Sequence, residues 1–329
     1  MAARTTTLSV PLGLTGRMRR GVVRALPEPL VRGIRVLRGH RPPRVVTLDE
    51  LDSQLEEAAT LFAVSEDAAR NFLRGFHMAP PPGRPEDPFS DAYREWVWAL
   101  YRDVSGRPDY SLANEASPFE LEDAVSAPYP YSTGSTTVVG EELIARGFIV
   151  STLGLTPPAR IVEFGSGWGN LTVDLAAMGF DVTAVEVEER FCALTERRNR
   201  RPDRLEVVHA GMLEFTTEAT FDAAIFYESF HHCADHVEML RRLAGIVGPG
   251  GKVLWAGEPI APMAYPWGLR LDGYSLWSTR THGWLELGFD ESYFAEVLER
   301  TGWHATRTRL PSGSPLADVI VARRAGSGR

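Results

Sequence analysis

The sequence predicts an α/β protein: a seven-stranded sheet covered by helices, preceded by a mainly helical N-terminal region. Three observations carry this. Beyond Pro158, short apolar runs alternate with segments of helical period, the pattern of parallel strands joined by covering helices. Ahead of it, between Thr47 and Phe76, apolar residues recur at helical spacing instead. At 329 residues with 44% hydrophobic content, the chain can bury a full core and still carry a second, smaller module.

The elements follow in order. Residues 1–45 form a basic arm with ten arginines against one acid, Glu28, a local charge of +9 that leaves −17 on the rest of a chain whose net charge is −8. Pro27, Pro29, Pro42 and Pro43 break any long helix there, although Leu30, Ile34 and Leu37 share one helical face. Two readings stand: a partly disordered arm whose arginines meet the acidic body, or a peripheral contact with an anionic membrane or a protein partner. Residues 46–128 make the helical region. Asp49 or Asp52 caps a first helix carrying Leu51, Leu55, Ala58, Leu61 and Phe62, and Ser65 caps a second through Leu73. The proline run at 79–85 is an extended linker, a third helix covers Tyr93 to Tyr101, and 103–135 reads as loop. A helix from Thr136 to Leu153 leads into the sheet.

The strands are Arg160–Phe164, Val182–Glu186, Leu205–Val208, Phe221–Tyr227, Lys252–Ala256, Trp303–Arg309 and Ala317–Ala322, the last two a hairpin. Helices are expected at Asn170–Met178, Glu188–Asn199, Val237–Val247 and Glu291–Thr301, the third ending at Gly248-Pro-Gly-Gly. An acidic body argues against a nucleic-acid substrate, which wants a basic face near the cleft. Cys192 and Cys233 are too few for a disulfide framework and are expected reduced. No segment has the apolar length of a membrane span, and no apolar centre follows the N-terminal charges, so a cytoplasmic protein is expected, with the arm as its one route to a membrane surface.

The most informative segment is Glu163-Phe-Gly-Ser-Gly-Trp-Gly169, which closes a buried strand and opens a helix. Glycine removes the Cβ and the first helical N–H groups are free, so backbone can approach a nucleotide-like ligand. A dinucleotide-binding loop wants G-x-G-x-x-G, whereas here Gly165, Gly167 and Gly169 are followed by Asn170. Glu186 ends the second strand 21 residues after Gly165, where a carboxylate accepts hydrogen bonds from ribose hydroxyls. With Phe221-Asp-Ala-Ala-Ile-Phe-Tyr-Glu-Ser-Phe-His-His and Val247-Gly-Pro-Gly-Gly-Lys-Val-Leu downstream, the chain resembles the Rossmann-like class I S-adenosylmethionine-dependent methyltransferases over residues 130–323. The resemblance implies a methyltransferase domain at 129–329 whose cofactor, S-adenosyl-L-methionine, lies on Glu163, Gly165, Ser166, Gly167, Trp168, Glu186 and Val187, with Glu163 near the methionine moiety. One departure is Gly211, where the family often has an acid for the adenine amino group, which leaves the adenine to Met212 or Glu214. In similar enzymes a segment like that around Tyr131 and Thr133 closes over the cofactor, although those hydroxyls equally suit an ordinary turn.

Methyl transfer to a hydroxyl needs alignment and a base. At the end of the fourth strand stand Glu228 and His232, with His231 behind them. His231, His232, Asp235 and His236 also admit a metal reading, set against Asp235 as a simple helix cap; the sequence is read as metal-free. Residues 258–289 form a substrate insertion whose Trp267, Arg270, Tyr274, Trp277 and His282 suit a sugar: aromatic faces pack on the ring, while Arg and acids take its hydroxyls. The phrase resembles bacterial methyltransferases of glycan or glycosylated-metabolite pathways. The expected reaction is O-methylation of a sugar or polyhydroxylated small molecule in natural-product biosynthesis, with N-methylation of an amino sugar its neighbour. The rivals are a non-catalytic binding protein on the same fold and a methyltransferase of protein or lipid anchored by the arm.

Overall fold

The computed structural model describes residues 43–117, 119–310 and 316–324. The chain divides into two compact units, residues 1–45 and 46–329, and the second holds the elements that follow. The amphipathic stretch read around Leu30, Ile34 and Leu37 lies outside the described residues.

The helical region opens with α1 (Leu48–Phe62), α2 (Glu66–Leu73) and α3 (Asp91–Ser105). The cap of α1 is Thr47 with Glu50, whose Oε2 accepts from Thr47 N at 2.9 Å, rather than Asp49 or Asp52. Asp52 instead holds Arg280 at 2.8 Å. Ser65 and Ser90 cap α2 and α3 through their hydroxyls. The stretch 103–135 is more structured than its prolines suggest: besides a 3-10 turn at Leu112–Glu115, it contains α4 (Leu121–Ser126). Then α5 (Thr136–Leu153) leads to the sheet.

The strands alternate with helices as the periodicity requires: β1 (Arg160–Phe164), α6 (Asn170–Ala177), β2 (Asp181–Glu186), α7 (Glu189–Arg198), β3 (Leu205–His209), β4 (Phe221–Tyr227), α8 (His236–Ile246) and β5 (Val247–Ala256). The insertion holds a ribbon, β6 (Trp267–Leu269) against β7 (Leu287–Phe289), around α9 (Gly273–Thr281). It is followed by α10 (Glu291–Arg300), β8 (Trp303–Arg309) and β9 (Asp318–Arg324). The seven-stranded sheet runs β8-β9-β5-β4-β1-β2-β3, with β9 antiparallel to both neighbours and the pairs from β5 to β3 parallel. The order reverses at β1, whose two neighbours are β2 and β4. Loops leaving the carboxyl ends of β1 and β4 must part there, which opens the crevice where ligands of such sheets sit.

The central strands bury both faces. Ile161, Val182, Ala184, Ala223 and Ile225 meet Ile149 and Leu153 of α5 and Leu171 and Leu175 of α6. On the other face Phe164, Phe226 and Trp255 lie in register on adjacent strands and stack at 5.1 and 6.1 Å, forming a stiff floor close to the crevice. Burying one such side chain as large as Phe226 stabilises by roughly 1.5–3 kcal/mol. That same core takes in Leu51, Leu73, Tyr93, Val97 and Leu100, so the helical region closes it rather than standing apart. The insertion docks there too: Tyr93 OH donates to Trp267 O at 2.8 Å, Tyr101 OH to Gly283 O at 2.6 Å, and Met78 N to Leu271 O at 2.8 Å.

Candidate active site

On the β1 side of the crevice the chain turns through Gly165-Ser-Gly-Trp-Gly169 into α6. Gly165 and Gly167 have φ of 68° and 48°, the left-handed region that favours glycine. A Cβ on Gly165 would come within 2.6 Å of Ser229 Cβ and 3.1 Å of Met212 Cε, whereas on Gly167 it would meet nothing within 4 Å. The turn is thus closed below and open above. Gly169 gives α6 no side-chain cap, so its first N–H groups remain for a ligand or water. The buried Ser166 hydroxyl also has no partner. Glu186, at the end of β2, accepts from the N–H groups of Gly167 at 2.7 Å, Val187 at 2.8 Å and Glu188 at 3.0 Å. Burial pushes its carboxyl up against those three donors. A carboxylate has about four acceptor sites, so one remains for a hydroxyl. Glu163 points to the other face of β1, where Thr172 Oγ1 donates to it at 2.6 Å. Burial first, then the charges of Glu186 and Asp174, push it up to about 8.

Across the crevice β4 ends at Tyr227. Glu228 follows with φ 50°, the one non-glycine residue among the described residues in the left-handed region. Its side chain keeps solvent contact although protein surrounds it. Burial, then the charges of Glu142 and Glu258, push its carboxyl up, while Arg70 and Arg270 pull it down. Glu142, on α5, accepts from Tyr227 OH at 2.7 Å.

The turn after Glu228 is pinned by one carboxylate, that of Glu258. It accepts from the N–H groups of Ser229 and Phe230 at 2.8 Å each and of His231 at 3.2 Å, and lies 2.8 Å from His231 Nδ1. Burial works to raise Glu258, but His231 and these donors hold it below the usual glutamate value. Beside it, His232 Nδ1 lies 3.2 Å from Glu115 Oε2. Burial works against its charge, yet Glu115, then Glu286 and Glu258, push His232 up to about 9. Glu286 Oε2 lies 3.7 Å from His231 Nε2 and 3.6 Å from Arg270 Nη1.

The two half-sites face each other across the switch point, one built to cradle a nucleotide-like ligand and one lined with titratable groups. Residues 162–255, which run from β1 to β5 and include the glycine turn, Glu186, Glu228, His231 and His232, match the family model described as a methyltransferase domain. The chain carries a class I, S-adenosylmethionine-dependent methyltransferase domain. Among curated relatives, an uncharacterized methyltransferase of Bacillus cytotoxicus is 24% identical over 162 residues, 46% of this chain and 72% of that protein. A demethylmenaquinone methyltransferase of Clavibacter sepedonicus is 28% identical over 135 residues, 40% of this chain and 54% of the relative. A solved structure of the 1,6-didemethyltoxoflavin-N1-methyltransferase of Burkholderia thailandensis, with 1,6-didemethyltoxoflavin and S-adenosylhomocysteine bound, aligns at 22% identity with a TM-score of 0.43, covering 64% of this chain and 93% of that one.

In this methyltransferase Gly165, Ser166, Gly167, Glu186, Val187 and Met212 gather around the open turn. Trp168 does not face it: its ring packs at 4.9 Å on Phe119 and 5.0 Å on Phe191, holding the turn from outside. Thr133 serves its own turn, donating to Pro130 O and accepting from Ser135 N. Tyr131 OH accepts from Arg146 at 2.8 Å. Asn170, in place of the dinucleotide-loop glycine, donates to Tyr129 O at 2.8 Å and accepts from Arg198 at 2.9 Å, which ties the approach segment to α6.

On the acceptor side Arg270 and Tyr274 reach the chamber, with Arg70 5.4 Å over the Tyr274 ring. Two expected substrate contacts are corrected: Trp267 is buried against Tyr93 and His236 and donates to Pro88 O, and Trp277 packs on Phe62 at 5.1 Å. His282 stacks at 4.8 Å on Trp284, whose ring lies 6.1 Å from that of His232. The four-residue metal reading is corrected as well. His236 bonds Tyr293 OH at 2.8 Å, and burial depresses it to about 3. Asp235 caps α8 and meets Arg94. Glu115, Glu258 and Glu286 shape the site from three distant segments. Only their acidity marked them in the sequence.

Proposed function

We propose that this methyltransferase methylates a hydroxyl of a sugar or other polyhydroxylated small molecule, with Glu228 taking the hydroxyl proton. The observation that carries this is Glu228 itself, a carboxyl in a strained backbone position at the end of β4, in contact with solvent and raised towards the pH at which a base works best. The donor, S-adenosyl-L-methionine, supplies a methyl group on a sulfonium that leaves as a neutral thioether. The open Gly165–Gly167 turn, the unpartnered Ser166 hydroxyl and the remaining acceptor site of Glu186 fit a ligand of that kind, with Val187 and Met212 flanking it. Glu163 supports the turn from beneath through α6.

On the acceptor side Arg270, Glu286 and the Tyr274 hydroxyl offer donors and acceptors to a polar ring. His231, fixed by Glu258, turns its second nitrogen towards Glu286. One observation favours amine acceptors as a second reading: Glu115, Glu142, Glu228, Glu258 and Glu286 outnumber Arg70 and Arg270 around the chamber, a field that draws a cation. Glu228 would then take the ammonium proton.

Calorimetry with S-adenosylhomocysteine tests the donor half. Binding is expected in the micromolar range or tighter, with at least tenfold weakening in Glu186→Ala. Absence of binding ends the enzymatic reading. A panel of hydroxylated and amino sugars, with product NMR to separate O-methyl from N-methyl resonances, decides the acceptor atom.

A further inference from the structure

The acceptor chamber contains one arrangement that proton removal by Glu228 leaves unused. A ring nitrogen of His231, one of His232 and a carboxylate oxygen of Glu286 lie within 4.8 Å of one another. His231 and Glu286 are buried. His231 is fixed from behind by a further carboxylate, since its Nδ1 lies 2.8 Å from Glu258, while His232 Nδ1 stands 3.2 Å from Glu115 without hydrogen-bond geometry. With Nδ1 held on the carboxylate side, Nε2 of His231 is left as the lone-pair side of its ring, as in the carboxylate–histidine pairs that orient metal ligands. Spacing agrees. His231 Nε2 and Glu286 Oε2 are 3.7 Å apart, close to the about 3.4 Å between two ligands on a tetrahedral ion with bonds near 2.1 Å, and the His232 nitrogen lies within 4.8 Å of both. Arg270 also touches that Glu286 oxygen but holds Asp272 more closely, at 3.0 Å, and keeps that partner if Glu286 turns to a cation.

We propose that His231, His232 and Glu286 bind one divalent first-row transition cation, with its remaining coordination positions open to the acceptor. Two imidazoles select borderline ions such as Zn2+, Co2+ or Ni2+ over Mg2+ or Ca2+, which want oxygen ligands throughout. Three protein ligands leave a position free, as in catalytic rather than closed structural sites. The consequence drawn for the reaction, that an acceptor oxygen enters the open position and gives up its proton to Glu228 more readily, rests on the hydroxyl reading above; cation binding does not.

The test uses the full chain, freed of metal by a chelator and saturated with S-adenosylhomocysteine. It is titrated with Co2+ while its visible ligand-field bands are followed, and with Zn2+ in a calorimeter. One ion per chain is expected, with tenfold or greater weakening in His231→Asn and Glu286→Gln and unchanged S-adenosylhomocysteine affinity. Glu115→Gln, which removes the charge beside His232 while keeping an amide oxygen for Leu285 N, should weaken the ion by about 10–100-fold and carries the comparison if either direct variant fails to fold. A protein that binds S-adenosylhomocysteine but neither ion overturns the site, as does equal ion binding in the variants. Ion binding without S-adenosylhomocysteine binding counts against the methyltransferase reading and leaves the cation site standing.

Discussion

At Glu228 a left-handed backbone, which costs a non-glycine residue roughly 1–2 kcal/mol, coincides with a raised carboxyl pKa, so the surrounding fold spends stability to aim one acid. A base must be deprotonated to act. The acidic limb of the kcat/KM profile should therefore lie above the usual glutamate range, with activity rising as pH rises through it. Glu228→Gln is expected to lower kcat by about 10²–10⁴-fold with S-adenosylhomocysteine affinity unchanged, and to abolish that limb. An unmoved limb, or a kcat within a fewfold of the parent, would assign the proton elsewhere. Glu163 gives a second pH signature. In the unfolded chain its carboxyl ionises near 4.5, while in the folded protein burial keeps the proton on up to about 8. Between those values the folded state binds more protons, so stability falls as pH rises through the window. Glu163→Gln removes this dependence, and thermal unfolding without ligand should show the variant gaining on the parent by several degrees from pH 5 to pH 8.5. Glu228, His231 and His232 stand out in the sequence because they are neighbours in one motif, and the structure places them at the end of β4. Trp267 and Trp277 were misjudged because an aromatic reads alike in a sequence whether it packs a core or faces a cleft.

At the scale of elements, the turn after β4 keeps its shape through Glu258, which sits after β5 and accepts three backbone N–H groups and the His231 ring. Glu258→Ala leaves those buried donors without a partner and should cost about 3–5 kcal/mol, read from chemical unfolding. Glu258→Gln retains an amide oxygen for the Ser229 and Phe230 N–H groups, and should cost markedly less while still lowering kcat through the freed His231 ring. Equal losses in the two would mean that the N–H contacts contribute little. The glycine turn admits a parallel test. Gly165→Ala forces a Cβ against Ser229 and should weaken S-adenosylhomocysteine at least tenfold by displacing the turn. That turn was legible because strand, glycine rhythm and helix start are local signals. The ribbon β6–β7 and α9 were not. Each ribbon strand has three residues, all buried, so no alternation marks it, and α9 buries Gly273, Ser275, Ser278 and Thr279, residues without an apolar stripe.

For the whole molecule, the succession of seven strands and the closing hairpin of β8 and β9 were legible from periodicity, and the sheet they form from the family resemblance, whereas the role of residues 46–128 was not. Their helices read as a small module, yet Leu51, Leu73, Tyr93 and Val97 share a core with Phe226 and Trp255, and Arg70 and Glu115 reach the acceptor chamber. Contacts between residues 50 to 200 positions apart leave no local trace in one sequence. The consequence concerns where the chain can be cut. A chain beginning at Val46 retains an entire compact unit with its core and both half-sites. It should unfold in one cooperative transition, within about 2 °C of the full chain's midpoint, a difference of under 1 kcal/mol, and bind S-adenosylhomocysteine equally well. A chain beginning at Tyr129 loses the side chains that cover Phe226 and Trp255, exposes that face to water, and should aggregate or lack a cooperative transition. Were it instead to fold with full donor affinity, the helical region would be an accessory to the core. The same pair of long chains decides the arm: recovery of the full chain alone with anionic vesicles on flotation assigns residues 1–45 a membrane contact, and equal behaviour retires that reading.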